Sequence, residues 1–386
     1  MLFLKRCESL KPVALISFMS FLLLLPIFTG VGKVNNLFHI SIISAMIYIF
    51  LTRNNIFNQD GLSGKSLWVV LIFLLYYSLT NLWSADPSNI ESTLKHSMYF
   101  VFFILMFNHC IVKYGVLKVH LVIFMGCITL FMLTILFVDK STILTNRLES
   151  GFLYAPKNVI DLGGYFAIGI LSGLIVARES GKLWVFIPAA FLFIGLLLTQ
   201  SRGPLLALIV SLLILFAKYK NMHLRHFLYI FLVAVIISLF FFFTDYGNEF
   251  YQRMLSSYQQ SFIRFGIWKF AFEQGLHHPV FGWGFDKEIR FINSIGQHVT
   301  TTHSIYFSAF LKGGVVGVFF LLALMITGLI NAYKKFHQGA GLEASIYLFS
   351  LMFFITQGMF VIGGPGESWI LFWLPLAIVL SNRQTR

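Results

Sequence analysis

A chain of 386 residues that is 58% hydrophobic and only 11% charged, with 45 phenylalanines, carries more apolar surface than a water-soluble core can enclose. Lipid is therefore the expected solvent for most of it, and the net charge of +13 has to be read by position before it is assigned to nucleic acid. The three cysteines, Cys7, Cys110 and Cys127, have neither a pairable spacing nor a metal-type C-x-x-C.

Windows long enough to cross a hydrocarbon core of about 30 Å fall at 12–30, 34–51, 67–83, 97–112, 118–138, 159–177, 183–200, 203–217, 227–244, 308–333, 344–362 and 368–381. The first lacks a small-x-small cleavage site and runs into a second apolar segment, so it reads as a retained helix. The pattern predicts an all-α polytopic membrane protein of about twelve transmembrane helices with both termini on one side. That side collects sixteen of the 28 lysines and arginines but four of the 15 acidic residues, which marks it as cytoplasmic. The positive charge is thus mostly a topology signal, and no basic, aromatic-interleaved module argues for DNA or RNA.

In chain order, two outer segments are polar or turn-rich: "SADPSNIESTLKHS" after the third window and "NRLESGFLYAPKNV" after the fifth. Arg147 and Lys157 in the latter are placed to line an outer cavity. Asp161, just inside the sixth window, is an intramembrane acid expected to pair with such a cation. The stretch "LLLTQSRGPLLALIV" sets Arg202 at the outer ends of windows seven and eight. Taken alone, an arginine there does no more than end a helix at the membrane surface.

The same side carries the one long connection, 245–303, which is aromatic and periodic rather than rich in Ser and Pro. Tyr251, Met254, Leu255, Tyr258, Phe262, Phe265 and Phe272 recur at three- and four-residue steps and predict an amphipathic helix on the membrane surface. Along one edge of it run Arg253, Ser257, Gln260 and Arg264, with Trp268 one turn further on. Pro279 ends the pattern, and Gly282 and Gly284 bracket Trp283 in a turn suited to bringing backbone close to a ligand. His303 and Ser304 stand at the mouth of the tenth window, and Gly314 and Gly317 allow bending or close packing within it. Three regions follow: helices one to nine over 1–244, a catalytic loop over 245–303, and helices ten to twelve over 304–386.

The "SRG" after a transmembrane run, the arginine of "RFGIW" in a large loop, the P-x-x-G-x-G turn, and His303-Ser304 followed by Gly314 and Gly317 resemble, as an ordered set, the O-antigen ligase and polymerase superfamily of bacterial envelope glycosyltransferases. The layout is similar too: a GT-C-like fold with one large periplasmic loop between helices nine and ten. Size and the H-S-x9-G-x-x-G ending look most like the members that join O-antigen to the lipid A core. That resemblance implies a polysaccharide donor on undecaprenyl pyrophosphate and an acceptor sugar on the lipid A-core oligosaccharide. It further implies inverting transfer at the periplasmic face of the bacterial inner membrane, without a nucleotide sugar, a cofactor or a metal.

The chemistry sets its own demands. A lipid pyrophosphate leaving group needs cations at the membrane boundary, and guanidinium donates paired hydrogen bonds to phosphate while staying charged. Arg202 and Arg264 are the candidates. An acceptor hydroxyl must lose a proton as it attacks, and a neutral imidazole near pH 7 suits that task, which falls to His303. Arg253, Trp268, Gly282, Gly284 and Ser304 complete the expected substrate-binding set.

A rival places a divalent ion on Asp286 and Glu288, with His277, His278 and His298 in the same loop; Lys287 and Arg290 beside those carboxylates favour a solvated ion-pair cluster instead. A transporter would show matched broken helices in two repeated halves, whereas here the polar residues gather at one face of the second half. Repeat-unit polymerases and protein O-oligosaccharyltransferases of the same superfamily share the arginine, loop and histidine plan, so the acceptor stays open at this level.

Overall fold

The computed structural model of the chain describes residues 9–29, 34–53, 56–57, 62–140, 146–156, 158–218, 264–292, 296, 298–357 and 360–381. Within them the helices are α1 (Leu10–Leu24), α2 (Asn35–Thr52), α3 (Gly64–Leu79), α4 (Ile90–Phe137), α5 (Val159–Ser180), α6 (Phe186–Leu198), α7 (Arg202–Lys218), α8 (264–275), α9 (Ile305–His337), α10 (Gly341–Phe353) and α11 (Leu374–Leu380). A two-stranded antiparallel ladder pairs Phe291 with Val299 and Ile292 with His298. Five helical segments are long and apolar enough to cross a membrane by length and composition: 35–52, 64–83, 87–137, 159–180 and 305–337. Shorter apolar helices fill the places between them.

Two of the long helices are broken where sequence supplies glycine. Gly115 has φ 82 and ψ 161, so α4 is two helices, as the separate windows 97–112 and 118–138 anticipate. Gly314, at φ 62 and ψ −162, breaks α9 after its third turn. The eleventh window is too long: α10 ends at Phe353, and the chain leaves helix before Gly363, Gly364, Pro365 and Gly366. Glycine and proline there cost more in a helix than apolar burial returns. The ninth window, 227–244, lies outside the described residues.

The last helix is the axis of the molecule. Every residue of α11 is buried, as are the five residues of the π-turn Trp369–Trp373 that leads into it, as expected of a helix that is apolar all round. Trp373 stacks on Phe100 at 4.1 Å between ring centroids, and Trp369 meets Phe21 and Phe38 edge-on at 5.8 and 5.0 Å. The indole N–H groups donate to the Val361 and Gly363 carbonyls at 2.7 and 3.1 Å, so neither polar tip is orphaned in the core. Outward, the helices present large apolar side chains such as Phe50, Leu183, Phe319 and Ile326, a surface that fits lipid rather than water.

Alternate connections gather at opposite ends of this bundle. At one end Leu148 N–H donates to the Leu198 carbonyl at 2.9 Å, Ser201 Oγ to the Val159 carbonyl at 3.2 Å, and Ser84 Oγ to Asp286 Oδ2 at 3.1 Å. At the other, Arg178 grips Glu343 with Nη1–Oε2 at 2.8 Å and Nη2–Oε1 at 2.6 Å, and Asn331 Nδ2 donates to Ser66 Oγ at 3.1 Å. The first end carries the candidate site.

Candidate active site

Arg264 opens α8, and α8 lies along the first turns of α9 in matched register. Trp268 stacks on Phe307 with centroids 5.6 Å apart and planes at 22°, and Phe272 stacks on Phe310 at 5.5 Å and 25°. Ile267, Ala271, Ile289 and Leu311 form a small core beneath. This stacking lays the start of α8, with Arg264, toward the start of α9, whose preceding turn carries His303. The electrostatics agree: burial first, and the Arg264 charge second, hold the His303 imidazole below its usual range. Among the described residues Arg264 has no acidic partner. The indole N–H of Trp268 is buried without a hydrogen-bond partner among them, a donor whose pairing is left to another group.

His303 sits in a left-handed backbone, φ 48. The flanking residues explain how it is held: Thr302 Oγ1 accepts from Ser304 N–H at 3.4 Å and donates to the Ser304 carbonyl at 2.7 Å. The Ser304 carbonyl then starts α9 by accepting from Ser308 N–H at 3.0 Å. The same turn occurs before α7. Gln200 has φ 51, Thr199 Oγ1 accepts from Ser201 N–H at 3.3 Å, and the Ser201 carbonyl accepts from Leu205 N–H at 3.4 Å. Thr-Gln-Ser before Arg202 and Thr-His-Ser before Ile305 are thus two copies of one helix-starting device, legible as tripeptides but unremarkable without the backbone angles. Pro204 falls in the first turn of α7, where no intrahelical N–H is needed.

Arg202 reaches this end of the bundle by a separate route. It occupies the first turn of α7, where the helix macrodipole is positive and disfavours a cation unless an anion joins it. Beside it, a Cβ on Gly203 would stand 3.4 Å from Thr356 Oγ1. Arg147 Nε donates to the Thr199 carbonyl at 3.1 Å and Nη2 to Ser201 Oγ at 2.9 Å, so the loop after α4 is tied to the turn that presents Arg202. Arg253 and Lys157 lie outside the described residues. Asp161 does not pair with Arg147: it is 3% exposed, its charged neighbour is Glu367, and Oδ1 has no hydrogen-bond partner among the described residues. Arg147 turns toward 199–201, whereas Asp161 lies within the electrostatic reach of Glu367.

Gly282 and Gly284 do bring backbone into close approach, and what they approach in the described structure is protein. A Cβ on Gly282 would lie 2.5 Å from Gly313 N, and one on Gly284 would lie 2.5 Å from Ser84 Cα. The segment 279–284 fills the break in α9: Trp283 and Gly284 N–H donate to the Leu311 and Lys312 carbonyls, both at 3.0 Å, while Val315 and Val316 N–H donate to the Pro279 and Val280 carbonyls at 2.8 and 3.2 Å. Groups orphaned by unwinding are thereby satisfied. Tyr76 and Tyr77 hydroxyls donate to the Gly313 and Ala309 carbonyls from α3, and Lys312 Nζ donates to the Phe285 carbonyl.

Asp286, the first carboxylate of the D-x-E spacing, accepts from Ser84 Oγ at 3.1 Å, from Asn89 Nδ2 at 3.0 Å and, through its own N–H, caps back to Ser84 Oγ at 3.0 Å. Its two oxygens anchor the loop to the start of α4. Trp283 is flanked by His278, ring to ring at 4.1 Å, and by Lys287 Nζ at 4.0 Å over its face. An open cavity of about 450 Å³ lies beside this loop, with Gln274, Asp286, Lys287, Glu288 and Arg290 on its walls, two cations balanced by two carboxylates.

Comparison with known proteins gives two matches. Residues 187–322 match the family model described as O-antigen ligase, a segment that contains Arg202, Arg264, His303, Gly314 and Gly317. A curated relative, the O-antigen ligase of Pseudomonas aeruginosa strain PAO1, is 28% identical over 232 residues. That alignment covers 59% of this chain and 55% of the relative, so the chain spans about half of the relative's length.

Proposed function

We propose that this chain, a member of the O-antigen ligase superfamily, transfers O-antigen polysaccharide from undecaprenyl pyrophosphate to a sugar of the lipid A-core oligosaccharide. The reading carries with it a multi-pass topology in the bacterial inner membrane, termini in the cytoplasm and the Arg202 end facing the periplasm. The observation that supports it most is that Arg264, at the start of α8, acts on His303, in the turn before α9, while α8 and α9 pack through Trp268 and Phe307, inside the segment that matches the family.

In this scheme Arg202 and Arg264 hold the pyrophosphate from two sides. The acceptor hydroxyl oxygen attacks the anomeric carbon of the donor sugar and forms the new C–O bond. The bond from that carbon to the pyrophosphate oxygen breaks, and its electron pair leaves on the lipid pyrophosphate. The hydroxyl proton passes to the neutral imidazole of His303. One displacement inverts the anomeric centre, so no covalent intermediate on Ser201 or Ser304 is needed. Trp268 offers its partly exposed ring to a sugar. Ser304 and Arg253 stand in the same substrate set, while Gly282 and Gly284 act on substrate through the loop they fold.

The test is the lipopolysaccharide banding pattern of a strain lacking the gene, complemented at matched membrane expression with wild type, Arg202→Ala, Arg264→Ala or His303→Ala. Wild type is expected to restore the full ladder, and each variant to leave unsubstituted core with accumulated lipid-linked polymer. A null strain whose core carries single repeat units would make the protein a polymerase. Three variants that behave as wild type would refute the site.

A further inference from the structure

Arg147 belongs to no part of the scheme above, yet it grips the turn that immediately precedes Arg202. Its guanidinium spans Gln200, taking the Thr199 carbonyl on one side at 3.1 Å and the Ser201 hydroxyl on the other at 2.9 Å. Gln200 lies between those two grips with φ 51, a left-handed state that is strained for a side-chain-bearing residue and persists only where neighbours hold it. Ser201 passes the constraint on, since its Oγ donates to the Val159 carbonyl at 3.2 Å at the start of α5. Arg202 is the next residue, and the direction in which α7 leaves the turn sets where its guanidinium points.

The clamp is itself rigidly mounted. Leu148 is fully buried and donates its N–H to the Leu198 carbonyl at 2.9 Å, and Ser150 Oγ donates to the Pro156 carbonyl at 2.5 Å within the same loop. A planar fork is the side chain suited to bridging a carbonyl and a hydroxyl two residues apart. We infer that Arg147 is a positioning residue, whose bridge across Gln200 fixes the turn that aims Arg202 at the donor's pyrophosphate. This role rests on the reading of Arg202 as a pyrophosphate ligand.

Coupling between the two arginines tests it. The full chain in lipid nanodiscs is titrated with undecaprenyl pyrophosphate, as wild type, Arg147→Ala, Arg147→Lys, Arg202→Ala and the Arg147→Ala/Arg202→Ala double variant. Each alanine variant is expected to weaken binding by about tenfold, and the double variant to bind no more weakly than Arg202→Ala alone, as for residues acting through one another. Arg147→Lys, a single-point donor, should fall well short of wild type. Affinity for the lipid A-core acceptor should stay unchanged in Arg147→Ala, which a general loss of structure would not permit.

Losses that multiply in the double variant would make Arg147 an independent ligand, and wild-type binding by Arg147→Ala would remove its role altogether. Either result overturns the positioning role while leaving the site intact. Wild-type binding by Arg202→Ala would instead overturn the reading of the site. Should Arg147→Ala fail to fold, Ser201→Ala removes one of the two grips and is expected to weaken donor binding in the same direction, by about threefold.

Discussion

His303 combines two features that each cost free energy in the absence of a substrate. Its left-handed φ of 48 is a strain of about 1–3 kcal/mol, and its imidazole shares a half-buried site with the Arg264 guanidinium. Both make sense for a group that must face an acceptor hydroxyl while unprotonated. Because burial and then Arg264 lower its proton affinity, the acid limb of kcat/KM against pH is expected below the ordinary histidine value of about 6.5. Removing the neighbouring charge in Arg264→Ala should move that limb upward, apart from the loss of rate. Linkage has the same sign: the folded state binds protons less readily than the unfolded one, so stability from this group holds above about pH 6.5 and declines as pH falls through the lowered value. A pH profile of the purified enzyme, wild type against Arg264→Ala, checks the shift; a limb that rises above 6.5 in wild type would refute it. His303→Ala should lower kcat about 10²- to 10⁴-fold if it is the base.

The element that organises the site is the broken α9. The P-x-x-G-x-G turn over 279–284 and Gly314 read in sequence as a ligand turn and a helix bend, yet they are the two halves of one backbone contact, while Gly317 packs against Tyr77. A Cβ at Gly314 would stand 2.2 Å from the Val280 carbonyl oxygen, and the residue also needs positive φ. Gly314→Ala should therefore cost about 2–4 kcal/mol, from overpacking and backbone strain together, and displace the start of α9 with its histidine. Gly296→Ala is the control: its φ of 79 is similar, but nothing among the described residues lies within 4 Å of the added methyl, so the backbone term of about 1 kcal/mol is the one expected. Thermal unfolding in detergent and turnover of both variants separate the two terms. Equal losses would mean that the 279–284 contact contributes nothing.

At the scale of the whole molecule, the end opposite the site is held by a buried ion pair in addition to the Asn331–Ser66 hydrogen bond. Arg178 engages both oxygens of Glu343 and also Glu179, with Glu343 only 3% exposed and His120 close by. Removing one partner of such a pair leaves a buried charge without compensation. Arg178→Ala is expected to cost about 3–5 kcal/mol, a fall of roughly 6–12 °C in unfolding temperature for a chain of this size. Replacing the pair together, as Arg178→Met with Glu343→Leu, should restore most of it. Turnover per folded molecule should be unaffected in both, because the pair lies at the far end of α5 from Val159 and Ser201. A loss of turnover in the double replacement would show that the two ends communicate.

Much of this was fixed by composition and period alone. Apolar runs of membrane length, the bend at Gly314 and the placement of Arg202, Arg264 and His303 at connections follow from local chemistry: hydrophobicity, backbone freedom and charge each act within a few residues. The pairing of Arg264 with His303 was foreseen only as a shared function, since 39 positions of chain separate them and their register depends on Trp268 finding Phe307. The grip of Arg147 on the Gln200 turn, the meeting of Asp161 with Glu367 rather than with a cation, and the use of Gly282 and Gly284 against α9 and Ser84 were decided by tertiary structure. A side chain's partner across the bundle depends on which helix faces pack, and no spacing within one segment encodes that.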